Sequence, residues 1–194
     1  RALAGAGRAR HLVLDDQEVA LGAGIAPIAR VPNGEYAIAT RALDNGALGI
    51  VVPHMDTAAE AREVVQKLKY PPIGHRSVGG WGPHYDLRSL STGDAAKALN
   101  AANLTVVMLE TPTAIANADE IASVPGVDVL LIGSNDLCAE MGIPGDFGNE
   151  RLADAYAKMI AACRKHGVGR LVFTSTPSVV HAISSGSVIG VDCR

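Results

Sequence analysis

The sequence predicts an α/β protein, and three observations lead there. Short β-branched or Leu-rich runs alternate with longer amphipathic stretches, the order that a parallel sheet or barrel with crossover helices requires. The runs are apolar throughout rather than alternating, as in strands covered on both faces. The 194 residues are 48% hydrophobic and 19% charged, which suits a globular chain and excludes a disordered, collagen-like or fibrous one. Aromatic residues are only 4%, so Ala, Val, Ile and Leu must build the core.

Taken in order, strands are expected at residues 11–14, 25–31, 48–53, 105–109, 127–132 and 169–173, most of them ending at a Pro, Gly or polar residue. Thr57-Ala58-Ala59-Glu60 reads as a capping box, in which hydroxyl and carboxylate satisfy the orphan amides of a helix running to about Lys69 and stopped by Pro71-Pro72. Further helices are expected at 113–123 and 150–166, the second closed by Gly167 as a left-handed cap. Between Tyr70 and Asp94 lies a Gly/Pro/His/Trp-rich segment of weak periodicity, which reads as a binding loop or lid. With no repeat, low-complexity tract or linker, one domain over residues 1–194 is expected.

A formal net charge of −3 gives no global attraction to nucleic acid or an anionic membrane, and no local basic cluster supplies one. The expected partner is a small molecule. No apolar stretch approaches the ~20 residues that span a bilayer, and the start with Arg1, Arg8 and Arg10 lacks the pattern of a secretory signal, so a soluble cytoplasmic protein is expected. Cys138, Cys163 and Cys193 are odd in number and lack CxxC spacing, which supports neither a disulfide framework nor a thiolate zinc site.

Two carboxylates stand out. Glu110 ends the strand at 105–109, and Asp136 follows the strand at 127–132 after Gly133-Ser134-Asn135, 26 residues on. That separation matches one strand, crossover and return strand, so both acids should emerge at the carboxyl ends of neighbouring parallel strands, where α/β barrels build their sites. Such a pair suits Mg²⁺ or Mn²⁺; the alternative is a pair of rim acids that are merely solvated or cap the following helices. Arg30, at another strand end, offers a planar fork for a carboxylate or enolate oxygen, or else a surface ion pair. Asp44 precedes a strand and reads as a turn or cap residue. His54 follows Pro53 and is either a ligand, an acid/base or incidental, and His75, Arg76, His84 and Tyr85 crowd the long loop. Gly133-Ser134-Asn135-Asp136 exposes successive amides that can cradle a carboxylate. Cys138 reads as a packed thiol.

These residues resemble the HpcH/HpaI aldolase and citrate lyase family over about residues 25–167. Leu43-Asp44-Asn45-Gly46-Ala47-Leu48-Gly49-Ile50-Val51-Val52-Pro53 is similar to the family's L-D-x-G-A-x-G-hydrophobic-P run. Tyr70-Pro71-Pro72-Ile73-Gly74-His75-Arg76-Ser77 is similar to its Y-P-P-x-G-x-R loop, and residues 127–137 to its V-D-hydrophobic-I-G-x-x-D-L segment. The resemblance implies a TIM-type (β/α) barrel and a class II aldolase that reversibly cleaves a 4-hydroxy-2-oxo acid to pyruvate and an aldehyde. It implies Glu110 and Asp136 as ligands of a divalent metal and Arg30 as the group stabilising the pyruvate enolate. It also implies the amides around Gly133, Ser134 and Asn135 as the hold on the substrate carboxylate, Arg76 on a substrate-side loop, and Asp44 in a subunit-contact and proton-relay region. Relatives form homo-oligomers, trimers or hexamers.

The pattern departs from the family in three places. The family's first strand ends D-x-E-H-G, with His as the acid/base, whereas here Asp16-Gln17-Glu18-Val19 places Val at that position. Only a few residues then precede Ile25, too few for a crossover, and residues 168–194 diverge. A barrel incomplete at the N-terminal crossover and C-terminal end, as in a truncated or mis-spliced member, is therefore expected. Met108 replaces a Gln common in relatives. The alternatives to an active aldolase are a catalytically impaired member that binds metal and 2-oxo acid, and a citramalyl- or malyl-CoA-type lyase.

Overall fold

The computed structural model describes residues 20–78, 83–85, 90–168, 170–171 and 191–192. They fall into two compact units, the chain up to Val51 with Val64–Thr105, and Val52–Glu63 with the chain from Val106 onward. The strand expected at 11–14, and the Asp16–Val19 stretch, lie outside the described residues.

In the first unit β1 (Ile28–Arg30) pairs in parallel with β2 (Gly49–Val52), Ile28 opposite Gly49 and Arg30 opposite Val51. The strand predicted at 25–31 is thus shorter, and its residues are exposed or half-buried rather than covered. The reason is local: the Ile25 amide donates to the Ala20 carbonyl and that of Gly24 to Leu21, so this stretch closes a preceding turn instead of joining the ladder, and Pro27 has no amide to offer. Between the strands, α1 (Tyr36–Asp44) buries Ala39, Ala42 and Leu43 at helical spacing.

The capping box forms as expected at the start of α2 (Ala58–Leu68): Glu60 N–H donates to Thr57 Oγ1 at 3.2 Å and Thr57 N–H to Glu60 Oε2 at 2.9 Å. The chain then turns back across the other end of α2. A Cβ on Gly74 would lie 2.5 Å from the Lys69 carbonyl oxygen and 2.6 Å from that of Val65, so only glycine allows the approach. Hydrogen bonds from the amides of His75 to Gln66 O and of Arg76 to Lys69 O complete it. The segment read as a loop gives way at its end to α3 (Thr92–Ala102), a helix capped by Ser91, whose Oγ accepts from Asp94 N–H. Buried Lys69 donates to the carbonyls of Asn100 and Asn103 at its far end, where a cation meets the negative pole of the helix.

In the second unit β3 (Leu104–Leu109) pairs in parallel with β4 (Val129–Ile132), Val106 opposite Val129 and Leu109 opposite Ile132. All four residues of β4 are buried, as expected for a strand covered on both faces. β5 (Arg170–Leu171) continues the parallel pairing, whereas β6 (Val191–Asp192) runs antiparallel to β5. The predicted helix at 113–123 is two short ones, α4 (Pro112–Ala116) and α5 (Ala118–Ala122). The break is at Asn117, with φ −91° and ψ 7°, and its Nδ2 donates to the Asp56 carbonyl at 2.8 Å. α6 (Ser134–Glu140) follows β4, and α7 (Glu150–His166) ends as predicted at Gly167, with φ 69°. α7 buries Leu152, Ala155, Met159, Ala162 and Cys163 and packs on α5. Cys138 and Cys163 are buried thiols. No helix of the described residues is long and apolar enough to cross a membrane.

Candidate active site

The parallel register decides where the acids go. Gly133 N–H donates to the Leu109 carbonyl at 3.2 Å, so Glu110 and Gly133 leave the carboxyl ends of β3 and β4 side by side. Gly133 is the N-cap of α6, and Asp136 lies in that helix's first turn. The two acids therefore follow adjacent parallel strands, as the 26-residue separation implies. Their environments differ sharply: Glu110 is 1% exposed, while Asp136 is exposed.

A carboxylate this deeply buried requires partners. His54, in the loop after β2, donates its backbone N–H to Glu110 Oε2 at 2.7 Å, and its Nδ1 lies 3.3 Å from the same oxygen. On another side the Cα of Gly133 presses on the acid: a Cβ there would lie 2.5 Å from Oε1 and 2.6 Å from Cγ. The loop carrying His54 is itself stitched down. Met55 N–H donates to the Met108 carbonyl, Thr111 Oγ1 to Asp56 Oδ1, and Asn117 Nδ2 to the Asp56 carbonyl. Thr111 also caps α4, accepting from Ala114 N–H at 3.0 Å.

Carboxylate oxygens fit a hard cation such as Mg²⁺ or Mn²⁺, which commonly uses one or two carboxylates and completes its shell with water or substrate. Among the described residues no group of three or more His, Cys, Asp and Glu is arranged to hold a metal. Glu110 and Asp136, which follow paired strands, are the carboxylates that could serve such a set.

Ser134 sits beside this acid through Gly133, and its Oγ hydrogen-bonds the Tyr156 hydroxyl of α7 at 2.9 Å. Burial raises the Tyr156 pKa above its usual value, and the bond to Ser134 offsets part of that rise. Asn135 is exposed in the first turn of α6.

In the first unit, Arg30 is the exposed last residue of β1. Arg76, expected on a substrate-side loop, is 4% exposed. Its guanidinium stacks 4.5 Å over the Tyr70 ring, and Nη2 donates to Oδ1 of Asp44, the last residue of α1. Asp44 keeps about half of its side-chain surface in solvent. His75 is exposed, and His84 Nε2 lies 3.1 Å from the Ala47 carbonyl oxygen.

Sequence alone leaves His54 open between a ligand, an acid/base and an incidental residue, and does not single out Tyr156, Asp56 or Asn117. Tyr156 lies four residues after Leu152 and three before Met159, a helical spacing that marks it as core-facing, but nothing local announces its partner.

With this geometry in hand, comparison with known proteins is decisive about ancestry. The sequence profile of HpcH/HpaI aldolase/citrate lyase matches residues 2–187. The chain belongs to that family. Among its relatives, a 4-hydroxy-4-methyl-2-oxoglutarate aldolase of Chaetomium globosum is 44% identical over 74% of this chain and 54% of its own length. Another of the same description from Hapsidospora irregularis is 42% identical, with the same shares covered. The chain thus spans about half the length of the curated relatives it matches. The crystal structure of an HpcH/HpaI aldolase from Desulfitobacterium hafniense shares the fold with a TM-score of 0.77 at 29% identity, covering 86% of this chain and 64% of that one. The family membership agrees with the parallel α/β architecture.

Proposed function

We propose that this chain is the catalytic part of a divalent-metal-dependent aldolase that cleaves a 4-hydroxy-2-oxo acid to pyruvate and an aldehyde. The observation that supports it most is the buried Glu110 carboxylate at the carboxyl end of β3, gripped by His54 and Gly133 beside the helix that bears Asp136. A carboxylate buried this deeply is costly to keep ionised unless it is hydrogen-bonded or coordinates a cation, and such groups mark candidate sites. The two relatives described as 4-hydroxy-4-methyl-2-oxoglutarate aldolases make a branched 4-hydroxy-2-oxo diacid the substrate to test first.

A divalent cation bound there supplies Lewis acidity for the negative charge that develops as the C3–C4 bond breaks. Glu110 and Asp136 are the residues that would hold it. In the cleavage itself a base or water takes the C4 hydroxyl proton, the C3–C4 electrons pass to the pyruvate enolate, and the same base or water returns a proton to C3. Arg30 is assigned the enolate oxygen, since its delocalised fork suits a planar oxyanion. The backbone of Gly133, Ser134 and Asn135 is assigned the substrate carboxylate. Asp44 is assigned the relay at a contact between copies of the chain in a trimer or hexamer, with Arg76 acting through it.

The test is pyruvate release from 4-hydroxy-4-methyl-2-oxoglutarate. Chelation with EDTA should abolish it, added Mn²⁺ or Mg²⁺ should restore it, and Glu110→Ala should not be restored. Turnover that survives chelation overturns the proposal. Val19 at the family's His position favours one second reading, a member that binds metal and 2-oxo acid without efficient turnover. Metal-dependent oxalate binding by calorimetry, with no cleavage in the same preparation, selects it.

A further inference from the structure

We infer that His54 is a positioning residue for the metal-binding carboxylate: it holds one oxygen of Glu110 with both main-chain and side-chain nitrogens and so sets how the acid meets a cation. The inference rests on the reading of Glu110 as a ligand. Among the described residues His54 is the one non-glycine residue with a positive φ, 54°. Left-handed backbone is uncommon for any non-glycine residue, although His adopts it more readily than most, and it persists where the surroundings hold it. Those surroundings are visible, since the next residue is pinned by Met55 N–H to Met108 O and the one after by Asp56 to Thr111. The result of the unusual turn is that the His54 amide points at Glu110 Oε2 from 2.7 Å, and Nδ1 approaches the same atom at 3.3 Å.

Two nitrogens converging on one oxygen restrain where that oxygen sits. Groups behind a ligand that orient it in this way matter nearly as much as the ligand itself. The rest of the imidazole is open to solvent, with 55% of the side chain exposed. A residue kept merely to fill the interior would not pair left-handed backbone with an exposed ring. Sequence alone does not reveal the arrangement, because His54 and Glu110 are 56 positions apart.

The experiment is Mn²⁺ titration by isothermal calorimetry on the full chain, with thermal melts of the metal-free protein alongside. His54→Ala removes Nδ1 but keeps the main-chain amide, and should bind Mn²⁺ about 10-fold more weakly, the lower end of the usual effect of losing a supporting group, with the metal-free melt little changed. His54→Asn should recover most of the loss, because Asn tolerates left-handed backbone and carries an amide N–H. A His54→Ala protein with a lowered melt and wild-type Mn²⁺ affinity assigns the residue a structural role and overturns the inference. Glu110→Gln separates the two readings: affinity lost there but kept in His54→Ala refutes only the role of His54, and affinity kept in Glu110→Gln refutes both.

Discussion

Replacing Gly133 with alanine isolates the contact on which the candidate site depends. Gly133 has φ −84° and ψ 87°, so alanine faces no left-handed penalty, and the loss of glycine's freedom in the unfolded chain stabilises by about 0.4–1 kcal/mol. Against this, the new Cβ would lie 2.5 Å from Glu110 Oε1, 2.6 Å from Cγ and 2.9 Å from Cδ, where carbon neighbours normally keep ~3.5–4.0 Å. Glu110 is buried, so about 1 Å of overlap must be relieved by moving the acid, and overpacking of this kind costs about 1–3 kcal/mol. The steric effect wins, leaving a net loss of roughly 0.5–2 kcal/mol, or a melting temperature lower by about 1–8 °C for a chain of this size. The functional loss should be larger, because a displacement of ~1 Å at a reacting centre can cost about 100-fold in rate. Differential scanning calorimetry and the pyruvate-release assay read the two effects separately. Gly93→Ala is the control: nothing lies within 4 Å of its added Cβ, and in α3 it should raise the melt. A Gly133→Ala protein with wild-type melting, Mn²⁺ affinity and turnover would refute the packing of Gly133 on Glu110.

Three further outcomes are expected. Asp44→Asn should destabilise by about 1–3 kcal/mol in chemical unfolding, because it leaves the buried Arg76 guanidinium without its charge partner; the double variant with Arg76→Met should recover part of that. Tyr156 should be among the last tyrosines to ionise in an absorbance titration, since burial raises its pKa. Its contribution to stability is complete below the ordinary tyrosine pKa of ~10 and is lost as pH rises through the folded value, and Tyr156→Phe should remove the late component. Asp119 is shifted the other way, its pKa lowered chiefly by the hydrogen bond from Lys165. The stabilisation it provides is present above the unfolded carboxylate pKa of ~3.9 and disappears as pH falls through the lower folded value. Asp119→Asn should flatten the acid limb of the melting curve, a small effect that salt reduces further.

Much of this chain is written locally. Alternating apolar and amphipathic runs marked β2, β3 and β4, and the Thr57/Glu60 and Gly167 signals marked helix ends, because caps and faces depend on residues a few positions apart. The separation of Glu110 and Asp136 likewise placed them after adjacent strands, since one crossover has a characteristic length. Where local reading went astray, a distant or competing bond was responsible. A helix breaks at Asn117, where the side chain reaches Asp56, and the turn at Gly24 withholds Ile25 from β1. The family motifs identified which residues to watch without telling what each touches. Arg76 is buried against Tyr70 and Asp44, and His54 bends into left-handed backbone to reach Glu110. Those contacts join positions 32 and 56 residues apart. Periodicity encodes which face of an element is apolar, but only strand pairing and loop docking decide which side chains meet, and with them how deeply the carboxylate of Glu110 is buried.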